Sequence, residues 1–316
     1  MKKSTALSMA AGVWMLAGAQ IASAQSYPNT HLRIITAAAG GGSDFATRLI
    51  AGPLGAALGQ QVIVENRGLL AADIAAKAPA DGYTLLLSGQ TLWLLPFMRE
   101  NVASNVGDFA PVTTATETFN ILVVHPTVPA ASVRALIDLA RARPDALNFA
   151  TSGNGNSVHI AGELFKAMAG IRVLRINYKG ASQALTELIA GQTQFMFGVP
   201  GSVMAHIKGG RLRALAITSA RPSALMPGLP TVAQALPGYE AVSRLAVFAP
   251  AGTPAAIIMR LNRELVRVLN LPEVKQKFHE SQIEVVGDTP EALAALINAE
   301  IATTAKVIRD AGIRAE

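Results

Sequence analysis

The chain has 316 residues, of which 51% are hydrophobic and 15% are charged, and its formal net charge is +6. It contains no cysteine, which excludes disulfides, thiol catalysis and cysteine metal sites. Its basic residues are scattered and are not interleaved with aromatic residues, so the sequence does not predict a nucleic-acid interface.

The first 24 residues have the pattern of a secretory signal peptide. Lys2 and Lys3 form a basic start, the apolar segment 6–18 is too short to span a bilayer with its flanks, and Ala22-Ser23-Ala24 fits a cleavage site. We therefore expect a mature chain that begins at Gln25 and keeps 25 basic against 21 acidic residues, a net charge of +4. No cysteine follows the cleavage site, so we expect a periplasmic protein without a lipid anchor.

Short apolar segments typical of strands alternate with helical patterns along the remaining 292 residues. The predicted strands are Leu32–Ala37, Val62–Glu65, Thr84–Ser88, Asn120–His125, Leu147–Thr151, Val173–Tyr178, Gln194–Gly198 and Arg213–Thr218. The predicted helices are Asp44–Leu58, Ala71–Ala78, Ser132 to about Arg143, one ending near Ala169, Ala181–Ala190, one ending near Lys208, Pro254–Leu269, a short one from Pro272, and Pro290–Ala311. Thr253 and Thr289 each precede a proline and are predicted N-caps. This alternation predicts an α/β fold with largely parallel sheets, and the length suggests two domains.

A glycine-rich loop between the first predicted strand and helix is the most informative segment. Its candidate ligand-binding residues are Ala39, Gly40, Gly41, Gly42, Ser43 and Asp44. Uncovered backbone N–H groups and the positive end of a helix dipole favour a small anion at such a loop. The spacing is neither that of a dinucleotide fingerprint nor that of a P-loop. A tight turn that needs positive φ is the alternative, and Asp44 can either stabilise the helix or accept hydrogen bonds from a ligand.

A second loop has the same order of strand, small polar residues and helix. Its candidate ligand-binding residues are Ser152, Gly153, Asn156 and Ser157. Their hydroxyl, amide and backbone N–H groups suit a carboxylate, whereas the alternative is a structural loop with Ser157 as the helix cap. In open α/β sheets such loops gather at the carboxyl ends of the strands, where ligands bind.

Two smaller patterns complete the candidates. Tyr178 and Lys179 lie between a strand and a helix, where they can line a cleft and pair with an anion, or can be a half-buried tyrosine and a solvated lysine. His159 and Glu163 have a spacing that can hold a metal, but no third ligand lies near, so we expect a helix-stabilising pair and no metal. No pattern predicts a catalytic residue or a cofactor site.

Eleven stretches, taken in order, resemble one known family over nearly the whole mature chain. They are AAAGGGSDFATR, GQQVIVENR, APADGYTLL, DFAPV, ILVVHPTVP, TSGNGNSVHIAGELF, INYKGASQALTELIAGQ, LRALAITSARP, LPTVAQALPGYE, FAPAGTP and AKVIRDAGI. Each is weak alone, but the ordered set resembles the tripartite tricarboxylate transporter receptors, also called Bug proteins.

The resemblance implies a two-lobed periplasmic binding protein of type II, in which each lobe is a mainly parallel sheet flanked by helices. The chain would cross between the lobes near Asn120–His125 and Leu245–Pro250. The first lobe would hold residues 25–121 and 249–316, and the second lobe residues 122–248. Family ligands are mostly small organic carboxylates, and Ala39–Asp44 and Ser152–Ser157 would hold them as two jaws, often with bridging waters.

Four positions depart from the family pattern as the resemblance gives it. After E-N-R the usual P-G-A-G-G is missing, and the segment Arg67–Leu70 is four residues shorter, which removes a loop near the cleft mouth. Asn156 stands where threonine is usual, Gly198 where aspartate is usual, and Arg244 where tryptophan is usual. Gly198 is a candidate site residue that lacks the acid. Arg244 can favour a more anionic ligand, or can be a surface residue at the domain edge.

The resemblance implies a receptor that captures an organic anion and delivers it to the membrane subunits of a permease. We expect a monomer that has no cofactor, does not bind nucleic acid and is not an enzyme. A periplasmic sensor that presents the ligand to a membrane signalling protein is the alternative, and the sequence does not separate the two. A third possibility, an enzyme of small acids, requires a nucleophile–base pair that the sequence does not show.

Overall fold

The computed structural model of the chain describes residues 27–100, 102–152 and 156–314. The predicted signal peptide and the candidate residue Gly153 lie outside these ranges. Within them, no helix has the combination of length and hydropathy that crossing a membrane requires.

The described residues form eleven strands and ten α-helices. The strands are β1 (Leu32–Thr36), β2 (Val62–Asn66), β3 (Thr84–Gly89), β4 (Phe109–Phe119), β5 (Ile121–Val124), β6 (Asn148–Ser152), β7 (Leu174–Tyr178), β8 (Phe195–Gly198), β9 (Arg213–Ile217), β10 (Val242–Pro250) and β11 (Glu284–Val285). The helices are α1 (Gly42–Leu58), α2 (Ala71–Ala76), α3 (Thr91–Met98), α4 (Val133–Ala142), α5 (Ser157–Ala169), α6 (Ala181–Ile189), α7 (Pro200–Lys208), α8 (Ala255–Leu269), α9 (Pro272–Glu280) and α10 (Pro290–Asp310).

The strands form two separate sheets. The first has the order β11-β4-β10-β3-β1-β2, and the second has the order β7-β6-β8-β5-β9. Parallel pairing is confined to β1 with β2 and β3, and to β6 with β7 and β8. The expected mainly parallel sheets are therefore mixed in their pairing. The physical reason is that β10 and β5 each run antiparallel to the strands on both sides of them. Four strands of each sheet nevertheless run in the same direction.

Each sheet is covered on both faces, which explains its continuous apolar strands. Leu32 and Ile34 of β1 pack into one core cluster with residues of α1 and α8, whereas Ile35 packs into another with residues of α3 and α10. In the second sheet, Leu122 of β5 faces the cluster of α4 and α5, and Val123 faces that of α6 and α7. Because successive side chains point to opposite faces, a strand buried on both faces has no polar alternation.

The chain passes between the sheets at one place, which we call the crossing. Phe119 ends β4 and Ile121 begins β5, so a single residue, Asn120, links the two sheets. The returning chain enters β10 at Val242, which is the direct partner of Phe119. The backbone N–H of Asn120 donates to the Thr218 hydroxyl at 2.7 Å, which joins the outgoing link to the end of the second sheet.

The expected second boundary at Ala249 falls inside β10. This strand pairs with β4 from Val242 to Pro250, so residues 242–248 lie in the first sheet and not with the second lobe. The family resemblance implies a crossing near Leu245–Pro250, whereas the strand that receives the returning chain begins at Val242.

The predicted elements agree with the observed ones to within two residues, but several elements were missed. Helix α3 is apolar all round and contains Pro96, so it shows no helical period, and β4 contains Pro111 in a run of small residues. Thr289 caps α10 as expected, accepting a hydrogen bond from the Ala292 N–H at 3.2 Å. Thr253 does not cap α8, because its hydroxyl donates to the Pro250 carbonyl and Pro254 occupies the N-cap position.

Candidate functional site

The carboxyl ends of the parallel strands in the two sheets face each other across the crossing. β4 runs in the same direction as β3, because both are antiparallel to β10, and its carboxyl end leads directly into the second sheet. In that sheet the carboxyl end of β8, at Gly198, pairs with Ile121 at the start of β5. The loops after β1, β2 and β3 form the first edge, and those after β6, β7 and β8 form the second edge.

A gap separates these two edges. β3 ends at Gly89, opposite Leu245, whereas β4 and β10 pair for three more residues until they reach the crossing. At about 3.3 Å per residue, this extension holds the edges roughly 10 Å apart along the strands. A small molecule that enters the gap meets loops from both sheets.

The glycine loop lies on the first edge and is open to solvent. Residues 37–42 are exposed, and Gly41 is the N-cap of α1 without a side-chain capping bond. Gly40 has φ +81°, a backbone conformation in the turn that favours glycine. Gly41 has φ −86°, which any residue can adopt, and a Cβ on Gly42 would meet no atom within 4 Å. Gly42 is therefore required neither by the turn nor by packing. Its missing side chain leaves the first N–H groups of α1, beside the half-buried Ser43, open to a ligand.

Asp44 stabilises the glycine loop through hydrogen bonds with residues of the first edge and of α1. Its carboxylate accepts hydrogen bonds from the Gly40 N–H at 2.9 Å, the Asn66 side chain at 2.9 Å and the Arg48 Nε at 2.8 Å. The same contacts, with the Gly40 N–H as the largest cause, hold the pKa of the Asp44 carboxyl below its ordinary value. Of the two roles that the sequence left open, these bonds favour the structural one.

The second loop is described only at its ends. Ser152 is the last residue of β6 and is paired in register with Tyr178 of β7. Asn156 is exposed, and its side chain caps α5 by accepting from the His159 N–H at 3.0 Å. The alternative in which Ser157 is the cap is wrong, because Ser157 is the first residue of the helix. The side chain of Asn156, one residue earlier, already occupies the cap position.

Tyr178 and Lys179 also lie on the second edge. Tyr178 is half-buried against the core cluster of α6 and α7, and burial, followed by the charge of Glu187, raises the pKa of its hydroxyl. Lys179 is exposed, next to Gly180, which is the N-cap of α6 and makes no side-chain capping bond. This position combines a positive charge with an open helix N-terminus, which suits an anion.

Gly198 has a packing role that the sequence did not indicate. The residue is buried, and a Cβ at this position would lie 2.4 Å from Cγ1 of Val203 in α7. No side chain fits there without moving Val203, so the aspartate that is usual in the family has no room in this packing. This packing explains the size of Gly198, and its backbone at the end of β8 stays a candidate contact for a ligand.

His159 and Glu163 face separate partners. His159 Nε2 accepts from Arg175 Nη1 at 2.7 Å, while Glu163 pairs with Lys166 at 2.9 Å. Burial, then the charges of Arg175 and Lys166, lowers the pKa of the His159 imidazole to about 4, so the ring is neutral at pH 7. The described part of the chain contains no group of three or more histidine, aspartate or glutamate residues that could hold a metal.

Arg244 is not a surface residue, and its guanidinium pairs with three carboxylates of this chain. Only 4% of it is exposed, and it lies on the face of β10 that packs against α3 and α10. Its guanidinium contacts Glu117 at 3.1 Å, Glu240 at 2.7 Å and Glu300 at 3.5 Å. Burial opposes its charge, but these three carboxylates raise the pKa of Arg244. No sequence signal joins the four residues, because they come from β4, β10, α10 and the loop before β10.

Two cavities open on the molecule away from these loops. One, of about 570 Å³, lies beside α3, and the other, of about 540 Å³, lies between α5, α10 and the Arg244 cluster. The lining of neither includes a residue of the glycine loop or of the second loop.

Comparison with known proteins now assigns the chain to a family. The model of a family described as "Tripartite tricarboxylate transporter family receptor" matches residues 46–313. BugT of Bordetella pertussis is 35% identical over 304 residues, which cover 92% of this chain and 92% of BugT. The name of the family describes receptors rather than enzymes, which agrees with the expectation of a binding protein.

Solved structures support the same fold. Rpa4515 of R. palustris, with adipate, is 32% identical, has a TM-score of 0.69 and covers 92% of this chain and 100% of its own. MatC from Rhodopseudomonas palustris, with bound malate, is 26% identical, has a TM-score of 0.65 and covers 89% of this chain and 100% of its own. The periplasmic binding protein BugD is 25% identical, with a TM-score of 0.65, over 92% of this chain and 100% of its own.

These neighbours confirm the α/β fold of a two-lobed binding protein. Because the family match spans most of the chain, this protein belongs to the tripartite tricarboxylate transporter receptors, the family of solute-binding proteins that includes the Bug proteins.

Proposed function

We propose that this protein is a periplasmic receptor that captures a small organic carboxylate between two lobes and delivers it to the membrane subunits of a tripartite tricarboxylate transporter. The observation that carries this proposal is the pair of facing edges, each of which has small residues in sequence next to a helix N-terminus. Adipate in one solved relative and malate in another support a carboxylate ligand.

The proposed lobes follow the sheets. The first lobe would comprise the mature chain to Phe119 and again from Val242, and the second lobe would comprise residues 120–241. The proposed export signal is residues 1–24, in keeping with the periplasmic relatives. We further propose that the receptor is a monomer, that it needs no cofactor and that it does not bind nucleic acid.

The proposed chemistry uses backbone amides more than charged side chains. The N–H groups of Gly42 and Ser43 and the Ser43 hydroxyl would hold a carboxylate from the first edge. Asn156, Ser157 and Lys179 would approach it from the second edge, and Ser152, Gly153, Ala39, Gly40, Gly41 and Tyr178 would shape the cleft around it. Each charge-assisted hydrogen bond contributes about 1.5–3 kcal/mol, so several reach the roughly 8 kcal/mol of micromolar binding. Ligand would favour the closed form, because only closure engages both edges.

A bulky residue at Gly42 tests this proposal. In Gly42→Leu the new side chain enters open space at the first turn of α1, so the fold should be kept while the ligand loses access to the backbone N–H groups. Calorimetry with the carboxylates that bind the wild type, chosen from a thermal-shift screen that includes adipate and malate, should show at least a tenfold loss of affinity.

The matched control is Ala56→Leu, which adds the same bulk at an exposed position further along α1. This control should bind like the wild type. If Gly42→Leu binds every carboxylate as tightly as the control does, the glycine loop is not a jaw and the proposal is wrong.

A further inference from the structure

Two consecutive leucines after β2 are the most exposed large apolar side chains in the described part of the chain. Leu69 is 97% exposed and Leu70 is 61% exposed. They lie in a single 3-10 turn, Gly68–Leu70, in which Gly68 has φ +57° and the Leu70 N–H donates to the Arg67 carbonyl at 3.1 Å. The turn presents both side chains to solvent from an ordered backbone rather than from a long loop.

This turn is attached to the glycine loop. The Arg67 N–H donates to the Thr36 carbonyl at 3.0 Å, and the Asn66 side chain donates to the Ala37 carbonyl at 3.1 Å. Thr36 ends β1, and Ala37 begins the glycine loop. The leucines therefore lie on the first edge, in the loop next to the proposed anion-binding N–H groups.

An exposed apolar residue also lies on the second edge. Val199 is 43% exposed and follows Gly198, the last residue of β8, which pairs with Ile121 at the crossing. Leu174 at the start of β7 and Met259 on α8 lie away from the carboxyl ends of the strands. Phe45, which is 40% exposed, lies in the first turn of α1 and packs edge-on against Phe278 of α9, with the ring centroids 6.0 Å apart.

Apolar side chains on both edges of a closing cleft require an apolar partner there. Water is a poor partner for two adjacent leucines, and burial of such surface is the main favourable term in association. The backbone N–H groups of the glycine loop suit a carboxylate, but they leave the rest of the ligand unassigned. An alkyl chain or aromatic ring attached to that carboxylate would extend from the glycine loop to the leucines.

We propose that Leu69 and Leu70 select the ligand by contacting its apolar body, with Val199 opposite them after closure. The substrate class is then a carboxylate with an unsubstituted alkyl chain or an aromatic ring, rather than a hydroxylated or tricarboxylic acid. This inference rests on the proposed function, since it concerns the same cleft.

A chain-length series tests the inference with the full mature protein. Calorimetry would compare succinate, adipate and suberate, and also malate against succinate. The wild type should gain about fourfold in affinity for each methylene that contacts the leucines, and should bind malate more weakly than succinate. The double variant Leu69→Ser/Leu70→Ser should lose this gain while its affinity for succinate stays within about twofold of the wild type.

Two control variants keep the result interpretable. Met259→Ser removes a half-exposed apolar side chain from α8 and should leave the whole series unchanged. Leu69→Met/Leu70→Met keeps the apolar contact and should keep the gain with chain length. The unfolding temperatures of all variants should match that of the wild type, because the substituted side chains are exposed.

Three outcomes would overturn the inference. If the wild type binds succinate, adipate and suberate with equal affinity, the leucines do not contact the alkyl chain of the ligand, while the proposed function stands. An equal loss for succinate and suberate in the serine variant shows that the leucines only position the glycine loop. A serine variant that binds the whole series normally, but no longer supports uptake in cells, assigns the leucines to the permease. If no carboxylate binds the wild type, the proposed function itself fails.

Discussion

Two glycines on the cleft edges show how the same residue type can serve opposite needs. Gly198 has no room for a side chain, since Val203 of α7 occupies that space. Gly42 has open space around it and no positive φ, so neither packing nor the turn requires a glycine there, and under the proposed function its size gives a ligand access to the backbone. The sequence alone presents both as small residues near strand ends. The neighbouring atoms separate packing from recognition.

The packing role of Gly198 predicts a loss of stability on adding one methyl group. Gly198→Ala should lower the free energy of unfolding by about 1–3 kcal/mol, because its Cβ overlaps Val203 and the core must shift. Urea denaturation would measure this, with Gly201→Ala as the control, since a Cβ there meets no atom within 4 Å. In a Val203→Ala background the added methyl should cost much less. An equal cost in both backgrounds would exclude Val203 as its cause.

His159 predicts how stability changes with pH. Its pKa falls from 6.5 to about 4 on folding, so between these values the unfolded chain binds a proton that the folded chain does not. The free energy of unfolding should therefore fall as the pH is lowered from 6.5 to 4. His159→Gln keeps an acceptor for Arg175 without titrating, so its stability should fall less over this range. Parallel urea titrations at several pH values check this, and identical slopes would contradict it.

At the scale of elements, β10 carries the centre of the buried ion cluster. It is the strand by which the chain returns, and it is buried between β3 and β4. Arg244 lies on it among Glu117, Glu240 and Glu300, and burial raises the pKa of Glu117 and of Glu300 while Arg244 opposes that rise. The indole N–H of Trp93 also donates to Glu300, so the ion cluster joins β4, β10, α3 and α10.

Removal of the central cation should destabilise these elements strongly. Arg244→Met keeps the length of the side chain but leaves the three carboxylates without their shared positive charge, which should cost about 3–5 kcal/mol of unfolding free energy. Arg267→Met is the control, because Arg267 is 62% exposed in its pair with Glu264 and should cost at most about 1 kcal/mol. Chemical denaturation at pH 7 compares them. Equal costs would mean that the buried cluster adds no more than a surface pair.

The same scale shows where sequence patterns predict structure and where they do not. Helix α10 is predictable because Thr289 and Pro290 mark its start, and β1 because an apolar run ends in glycines. Helix α3 is not predictable, because its apolar residues cover every side and leave no period. β4 is hidden by its proline and by many small residues, so the sequence does not show that β10 begins beside it at Val242.

For the whole molecule, the family resemblance and the two loops predict the lobes and the position of the cleft better than they predict its lining. The glycine loop could be located because strand, glycines and helix are consecutive. In the sequence, Leu69 and Leu70 mark only a shortened loop, since the exposure of a side chain depends on which residues of the folded chain pack against it. Two of the three partners of Arg244, Glu117 and Glu300, come from distant parts of the chain, which no local pattern brings together.

Because Phe119 and Val242 are direct neighbours on paired strands, residues 120–241 leave and return at a single point of the first sheet. Their five-stranded sheet is thus a self-contained insertion whose two ends touch, an arrangement that tolerates exchange between homologous chains. A chimera that takes this insertion from an adipate- or malate-binding relative would replace one wall of the pocket and keep the other. Under the proposed function, this arrangement lets selection alter the two halves of the recognition surface separately, without rebuilding the scaffold.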